Sequence, residues 1–257
     1  MEERVGDSPQ LLDRYAAELV QLRLDVIVAL LTPAVLAARR ASGSIPIVMA
    51  GAAVDPVSSG LVKSLPAPGG NVTGIVVPGT HLASKSLEMV RELRGSTRQI
   101  GMLLNGEDPF TPALTSAMND AARRLNVRLS TTTVRGIDEY ATAFSAWRDS
   151  RVDAVFVQPS LATDHAAALA LSHRLASFSF VRAFVSSGGL LSYSANTGEL
   201  SRRSADYIDQ ILRGADPAGL PVEQARSYDL VLNLRTAKAL GIAVPNLLRI
   251  RATEVID

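Results

Sequence analysis

The stretch that decides the fold lies at residues 25–50 and reads DVIVALLTPAVLAARRASGSIPIVMA. Two short runs rich in β-branched and aliphatic residues flank a segment with helical spacing. Thr32 and Pro33 predict the N-cap and first turn of a helix over Ala34–Ala41, which Gly43 stops. This order predicts a parallel βαβ unit. Its predicted strands are Asp25–Leu31 and Ile45–Ala50.

Helical patterns and short apolar runs continue to alternate along almost the whole chain, which predicts an α/β fold with parallel sheets. The further predicted helices are Leu11–Leu24, His81–Leu93, Pro112–Leu125, Ile137–Ser150, Thr163–Ala176, Glu199–Leu212 and a short helix from Asn233 to Gly241. The further predicted strands are Asn71–Val77, Gln99–Leu104, Arg128–Val134, Ala154–Gln158, Ser177–Phe180, Leu190–Tyr193 and Tyr228–Leu232. A helical turn is expected at Leu61–Leu65, and the tail after Pro245 receives no assignment.

The length is compatible with two domains. At ~150 residues per domain, 257 residues correspond to one large domain or two modest ones. Gly95-Ser96-Thr97 is the best candidate boundary, because a new series of strands and helices starts directly after it. Gly188-Gly189 is a second break in the pattern. The two halves are therefore expected to have similar architectures.

Composition and charge exclude several classes of protein. Lys plus Arg number 26 and Asp plus Glu number 25, and a net charge of +1 without like-charge runs argues against nucleic-acid binding. The longest apolar stretch, Val26–Ala38, is shorter than the ~18 residues that a transmembrane helix needs. The chain has no cysteine, which excludes disulfides and thiolate ligands. Residues 1–20 lack the pattern of a signal peptide, so we expect no export signal in this chain.

The sequence contains few signals for an enzyme. Gly-x-Ser-x-Gly is absent, and so are the glycine-rich motifs that bind dinucleotides and nucleoside triphosphates, so we predict no cofactor. His165 and His173 are eight residues apart on one predicted helix, whereas zinc-binding pairs lie at i, i+4. We therefore assign no catalytic residue and no metal site.

Three predicted strands end in polar, proline-marked helix starts. These are Thr32-Pro33, Asn105–Pro112 and Gln158-Pro159-Ser160. In open α/β sheets, ligands bind outside the carboxyl ends of the strands. The N–H groups at a helix N-terminus favour a carboxylate there. Any one of these segments is also explained as a simple helix cap, but the three together favour a binding site.

Residues 55–74 carry a resemblance to a known family. They read DPVSSGLVKSLPAPGGNVTG, which resembles the DPV..GLV.SL..PGGNVTG signature of the ABC-transporter substrate-binding proteins related to tryptophan and tyrosine uptake. The resemblance extends over essentially the whole chain. Its other segments are GGLLSY at 188–193, ILRGADPAGLPVEQ at 211–224, LVLNLRTAKALG at 230–241 and RATEVID at 251–257.

The resemblance implies the type I periplasmic binding fold, in which two Rossmann-like α/β lobes close on a small molecule. Residues 1–94 and 189–218 would form lobe 1, and residues 96–188 and 219–240 would form lobe 2, with 241–257 as a tail of uncertain placement. Family members also have a strand, a helix and a second strand before the position of residue 1. We therefore expect an N-terminally truncated chain whose first lobe is incomplete, with an exposed sheet edge that a second copy would cover.

The same resemblance implies a periplasmic protein that captures an amino acid or aromatic acid and presents it to an ABC permease. Thr32 would bind the ligand carboxylate, Asp55 would pair with an ammonium group, and Phe110 and Tyr193 would stack on an aromatic portion. The full set of expected ligand contacts is Thr32, Pro33, Ala52, Asp55, Asn105, Phe110, Gln158, Ser160 and Tyr193.

Other interpretations stay open at this point. Asp55 is as well explained by a turn with Pro56, and Tyr193 by packing in a hinge. A ligand-sensing regulatory domain uses the same fold, and a truncated fragment would bind nothing. A Rossmann-type enzyme is a further alternative, although the segment after the first strand contains no glycine.

Overall fold

The computed structural model of the chain describes residues 2–4, 6 and 9–257. The strands are β1 (Ile27–Leu30), β2 (Ile47–Ala52), β3 (Val72–Val76), β4 (Gln99–Asn105), β5 (Arg128–Val134), β6 (Ala154–Val157), β7 (Ala176–Ser179), β8 (Leu191–Ala195), β9 (Glu223–Gln224), β10 (Tyr228–Asn233) and β11 (Glu254–Ile256). The helices are α1 (Pro9–Gln21), α2 (Leu31–Ala41), α3 (Gly79–Leu93), α4 (Thr111–Leu125), α5 (Tyr140–Asp149), α6 (Asp164–Ser172), α7 (Arg182–Ser186), α8 (Thr197–Leu212), α9 (Leu234–Leu240) and α10 (Asn246–Arg251). Short 3₁₀ turns lie at Ile137–Glu139, Pro159–Leu161 and Pro217–Gly219.

The chain divides into two compact units, each built from separate segments. Unit 1 comprises the described residues up to Gly79 together with Asp108–Phe110 and Ala195–Ser227. Unit 2 comprises Thr80–Glu107, Thr111–Ser194 and Tyr228–Asp257. The glycines that suggested boundaries do not lie at these divisions. Gly95 follows α3 inside unit 2, and Gly188-Gly189 forms a tight turn before β8 in the same unit.

Unit 1 contains a four-stranded sheet in the order β1-β2-β3-β9, and each neighbouring pair is parallel. Helix α2 packs on β1 and β2, α1 packs on α2, and α8 packs on β2 and β3. The apolar runs predicted from the sequence are buried here. The core includes Val35, Ile47, Met49 and Val72, each fully buried.

One glycine of unit 1 permits an unusually close strand contact. Gly74 in β3 has φ of 116°, and a Cβ at this position would lie 2.4 Å from the carbonyl oxygen of Met49 in β2. Only glycine fits this approach, which is part of the NVTG segment quoted above. The packing of β3 on β2 thus depends directly on that segment.

Unit 2 contains a seven-stranded sheet in the order β11-β10-β8-β7-β6-β4-β5. The strands from β4 to β8 pair in parallel, as do β10 and β11. Phe144 and Trp147 fill the core between the sheet and α5, and their rings meet edge to face at 5.5 Å between centroids. The tail that the sequence left unassigned belongs to this unit, because β11 pairs with β10.

Several predicted elements differ from the observed ones for local reasons. The helix predicted over Thr163–Ala176 ends at Ser172, since Arg174 adopts a left-handed conformation with φ of 57° and Ala176 already belongs to β7. Residues Leu61–Leu65 form bends instead of a helical turn. No helix in the part of the chain that the structure describes combines the length and the apolar content of a transmembrane span.

Candidate functional site

Thr32 joins the ends of two neighbouring strands in unit 1. It follows β1, it is only 2% exposed, and its hydroxyl oxygen accepts hydrogen bonds from the N–H groups of Ala53 and Val54, each at 3.2 Å. Those residues follow β2 directly. The hydroxyl therefore fixes the loop after β2 against the start of α2.

The predicted N-cap role of Thr32 is wrong. Helix α2 already begins at Leu31, and the N-cap residue, Leu30, makes no side-chain cap. Leu31 has φ of 61°, in the left-handed region that a leucine adopts only at a cost of about 1 kcal/mol or more. The observed N-cap lies two residues before the predicted one, and the Thr32 hydroxyl accepts hydrogen bonds from the neighbouring loop instead.

Pro33 and Ala52 complete this edge of unit 1. Pro33 is half-buried in the first turn of α2, as its missing N–H allows. The side chain of Ala52 is fully buried, and its carbonyl accepts from the N–H of Val77 at 2.8 Å. Ala52 thus shapes the strand end through its backbone, with no side-chain atom directed to solvent.

Asp55 lies in an exposed turn. One carboxylate oxygen, Oδ1, accepts from the N–H groups of Val57 at 2.9 Å and Ser58 at 3.4 Å. Its carbonyl accepts from the N–H of Ser59 at 3.1 Å. These hydrogen bonds support the explanation of Asp55 as a turn-forming residue. Its charge is carried at the surface, next to the loop that Thr32 holds.

In unit 2 the structure brings Asn105, Gln158 and Ser160 together. The side-chain oxygen of Gln158 accepts from the backbone N–H of Asn105 at 2.9 Å, and the Asn105 amide reaches the Ser160 hydroxyl at 3.5 Å. Gln158 is fully buried and Asn105 half-buried. The carboxyl ends of β4 and β6 are adjacent in the sheet, and this adjacency explains why the predicted residues meet.

Thr111 belongs to the same polar cluster, although the sequence did not single it out. Its hydroxyl donates to the carbonyl of Asn105 at 2.6 Å and lies 3.1 Å from the side-chain oxygen of Gln158. Thr111 is the first residue of α4. The sequence signal that could have identified it is a threonine directly before Pro112. The cluster gives unit 2 a pre-arranged set of amide and hydroxyl groups at one strand edge.

The ring of Phe110, which we expected to stack on a ligand, is buried in this structure. It is only 4% exposed, and a Cβ on Gly79 would lie 2.3 Å from the end of its ring. Its N–H donates to the Asp108 carboxylate at 2.9 Å. The ring is seated against a glycine that leaves room for it, and its faces are shielded from solvent in this structure.

Tyr193 belongs to an aromatic cluster in unit 2. Its ring stacks on Tyr228 with 5.6 Å between centroids and 23° between planes, and Tyr228 in turn contacts His81 at 5.6 Å. Burial raises the pKa of the Tyr193 hydroxyl, while Lys85 and Arg251 act in the opposite direction. Sequence analysis predicted a role for Tyr193 alone, because no local sequence pattern indicates that β8, β10 and the start of α3 lie close together.

Within the described part of the chain, the histidine and acidic side chains do not form a metal-binding cluster. Across residues 2–4, 6 and 9–257, no group of three or more histidine, cysteine or acidic side chains has a metal-binding arrangement. His165 is instead stacked near Tyr140, and His173 contacts Phe144 and Ser145.

Almost the whole sequence matches the model of a known family. The model described as "ABC transporter substrate binding protein" matches residues 5–256. The chain belongs to this family. As an ABC transporter substrate-binding protein, it shares the type I periplasmic binding fold that the sequence indicated. Its parallel sheets and two α/β units agree with that fold.

Three known proteins are similar to this chain over most of its length. A tyrosine-binding protein of Clostridioides difficile strain R20291 is 28% identical over 236 residues, covering 88% of this chain and 66% of its own length. A conserved domain protein of Vibrio cholerae O1 biovar eltor has a TM-score of 0.86 at 27% identity, covering 96% of this chain and 84% of that one. An ABC domain from Streptococcus pneumoniae, solved in complex with L-Trp, has a TM-score of 0.85 at 26% identity, covering 97% and 84%.

At the level of the family, these comparisons identify a substrate-binding protein. The family model and the tyrosine-binding relative are named for what the proteins bind. This substrate-binding protein spans about two thirds of the length of the curated relative that it matches, at 66%.

Proposed function

We propose that this chain is the solute-binding component of an ABC uptake transporter and that its solute is an aromatic L-amino acid. The observation that carries the proposal is the similarity, at 26% identity over 97% of this chain, to an ABC domain solved in complex with L-Trp. The tyrosine-binding relative supports the same class of solute. No covalent step is part of this function, since the protein only binds and releases its solute.

In unit 1 the proposed contacts are Thr32, Pro33, Ala52 and Asp55. The backbone N–H groups in the first turn of α2 lie at the positive end of the helix dipole, which favours the carboxylate of an amino acid. The Asp55 carboxylate is the group that would pair with the ammonium. Its Oδ1 is engaged by the turn, and the pairing would therefore use the second oxygen, Oδ2.

In unit 2 the proposed contacts are Asn105, Gln158, Ser160 and Tyr193, and Phe110, which belongs to unit 1, is a further proposed contact. The amide of Asn105 and the hydroxyl of Ser160 can each donate or accept, so they suit both charged ends of an amino acid. Tyr193 would supply a flat ring for an aromatic side chain. Phe110 would take part only if its ring moved away from Gly79, against which it is buried in this structure.

The proposal names partners and a location as well. An ABC permease would receive the solute, and the chain would work outside the cytoplasmic membrane, in the periplasm. A second copy of this chain is the other partner. Neither nucleic acid nor a cofactor has a place in this function.

Thermal unfolding in the presence of single amino acids tests the proposal. A ligand that binds only the folded state raises the melting temperature, so L-Trp, L-Tyr or L-Phe should stabilise the protein. Their D-enantiomers and L-Leu serve as controls for chirality and ring. If none of the three aromatic amino acids changes the melting temperature, while another solute class does, the proposed solute is wrong.

Asp55→Asn is the matched variant for this assay. Asparagine keeps the oxygen that accepts from Val57 and Ser58, so the turn should persist while the charge is lost. The variant should unfold at the wild-type temperature without ligand and show a smaller rise with L-Trp. An unchanged rise would leave Asp55 as a turn residue alone.

A further inference from the structure

Asn105, the last residue of β4, is held by hydrogen bonds at both of its backbone polar groups. Its N–H donates to the side-chain oxygen of Gln158 at 2.9 Å, and its carbonyl accepts from the Thr111 hydroxyl at 2.6 Å. Gln158 is fully buried, so water does not compete for its side-chain oxygen. The backbone of Asn105 is therefore fixed at the point where β4 ends.

The Thr111 hydroxyl links Asn105 to Gln158. Its oxygen lies 2.6 Å from the carbonyl oxygen of Asn105 and 3.1 Å from the side-chain oxygen of Gln158, so one hydroxyl proton serves two acceptors. The Gln158 atom in this cluster must be the oxygen, because it also faces the N–H of Asn105, which can only donate. Thr111 thus supplies the donor that both oxygens share.

The side-chain amide of Asn105 has one defined orientation. Its Oδ1 accepts from the backbone N–H of Glu107 at 2.9 Å, and since an N–H can only donate, this end of the amide is the oxygen. The other end is therefore Nδ2, which reaches the Ser160 hydroxyl at 3.5 Å, the longest of the Asn105 contacts described above. Asn105 consequently presents a donor at this end.

This end of the amide has donor capacity for a solute. Nδ2 carries two protons, and within the described residues its hydrogen-bond contact is the long one to Ser160, which uses at most one of them. Asn105 is only half-buried, so a small molecule can reach its amide. Its position at the carboxyl end of a parallel strand is where α/β sheets bind ligands.

We propose that Asn105 donates a hydrogen bond from Nδ2 to the carboxylate of the solute, and that Thr111 and Gln158 are the positioning residues that hold it for this contact. The inference rests on the proposed function and narrows the role of Asn105 to one charged end of an amino acid. An ammonium group can only donate, so it does not pair with an amide end that also donates. A carboxylate only accepts and forms a charge-assisted hydrogen bond with such a donor.

Isothermal titration with L-Trp and with tryptamine, which lacks the carboxylate, tests the role of Asn105. Asn105→Asp keeps an oxygen for the N–H of Glu107 and replaces the donor with a negatively charged oxygen. This variant should bind L-Trp at least about tenfold more weakly, as expected for losing a hydrogen bond to a charged group, while its affinity for tryptamine should not fall. The matched control is Asn126→Asp, which adds the same charge at the exposed residue after the C-terminal end of α4 and should bind both compounds as the wild type does.

The outcomes of this titration separate the inference from the proposed function. If Asn105→Asp loses the same factor for both compounds, or binds L-Trp as tightly as the wild type, the donor role is overturned while the solute class stands. A wild-type chain that binds neither L-Trp nor L-Tyr overturns the proposed function and this inference with it.

Thr111→Val and Thr111→Ser test the positioning role. Valine removes the donor that Asn105 and Gln158 share, and serine restores it. The affinity for L-Trp should fall in the valine variant and return towards the wild-type value in the serine variant, while tryptamine binding changes little, because Thr111 acts through Asn105. A serine variant that binds L-Trp as weakly as the valine variant, or a valine variant that weakens both compounds equally, would contradict the positioning role.

Discussion

Thr32 shows how a single buried hydroxyl organises a strand end. Its oxygen accepts from two backbone N–H groups, those of Ala53 and Val54. Thr32→Val keeps the shape but leaves both N–H groups without this partner, so we expect a loss of about 1–2 kcal/mol in the free energy of unfolding. Thr32→Ser keeps the hydroxyl and should lose clearly less.

Urea denaturation of the two variants measures this difference. The Ser variant also reports the cost of removing the Thr32 methyl group, which the Val variant retains. Equal losses from the two substitutions would show that packing, and not the hydroxyl, holds the loop after β2. The mid-point alone should shift, with no change in the denaturant slope.

Individual residues were predictable where the strand topology places them together. Asn105, Gln158 and Ser160 follow neighbouring parallel strands, and their clustering follows from that rule. The burial of Phe110 was not predicted, because local sequence does not reveal that Gly79 leaves space for its ring. Tyr228 and His81 were missed for the same reason, since their contacts with the Tyr193 cluster are long-range.

At the scale of elements, α8 is fixed to the segment before β9 by Tyr207. The Tyr207 hydroxyl donates to the carbonyl of Pro221, and Tyr207 is only 3% exposed. Burial raises the pKa of this hydroxyl to about 12. An unfolded tyrosine titrates near 10, so the stabilisation is complete below about pH 10. It should be lost as the pH rises from about 10 towards 12, because the unfolded state releases the proton first.

Tyr207→Phe removes the titrating group and should flatten this alkaline loss. Urea unfolding at a series of pH values above neutrality gives the comparison, and Tyr15→Phe on α1 controls for removal of a tyrosine hydroxyl elsewhere. We expect the wild-type and Tyr15→Phe chains to lose stability more steeply than Tyr207→Phe. Parallel curves for all three would mean that other groups cause the alkaline loss.

Apolar periodicity predicts most of the helices and strands, but it does not predict the residues at which they begin and end. Strand β5 has the predicted bounds, and α2 begins before its predicted start because Leu31 adopts a left-handed backbone. The strand β9 has two residues, too few for a pattern, and it is defined by pairing with β3. The positions of such elements depend on tertiary contacts that no local window contains.

At the scale of the whole molecule, the family and the fold class were predictable from one long signature and the repeated alternation of helices and strands. The divisions of the chain were harder, because glycines mark turns within unit 2 as readily as they mark domain boundaries. The C-terminal tail belongs to unit 2 because β11 pairs with β10. The short sequence of the tail contains no pattern that predicts this pairing.

We propose that this substrate-binding protein recognises the carboxylate, the ammonium group and the ring of an aromatic amino acid. Isothermal titration of the wild-type chain with L-tryptophan, beside tryptamine and indole-3-propionate, tests it most directly. We expect saturable binding of one L-tryptophan per chain and at least tenfold weaker binding of both analogues, about 1.4 kcal/mol for each missing charged group. Equal binding of all three compounds, or no heat with L-tryptophan and L-tyrosine alike, would contradict the claim.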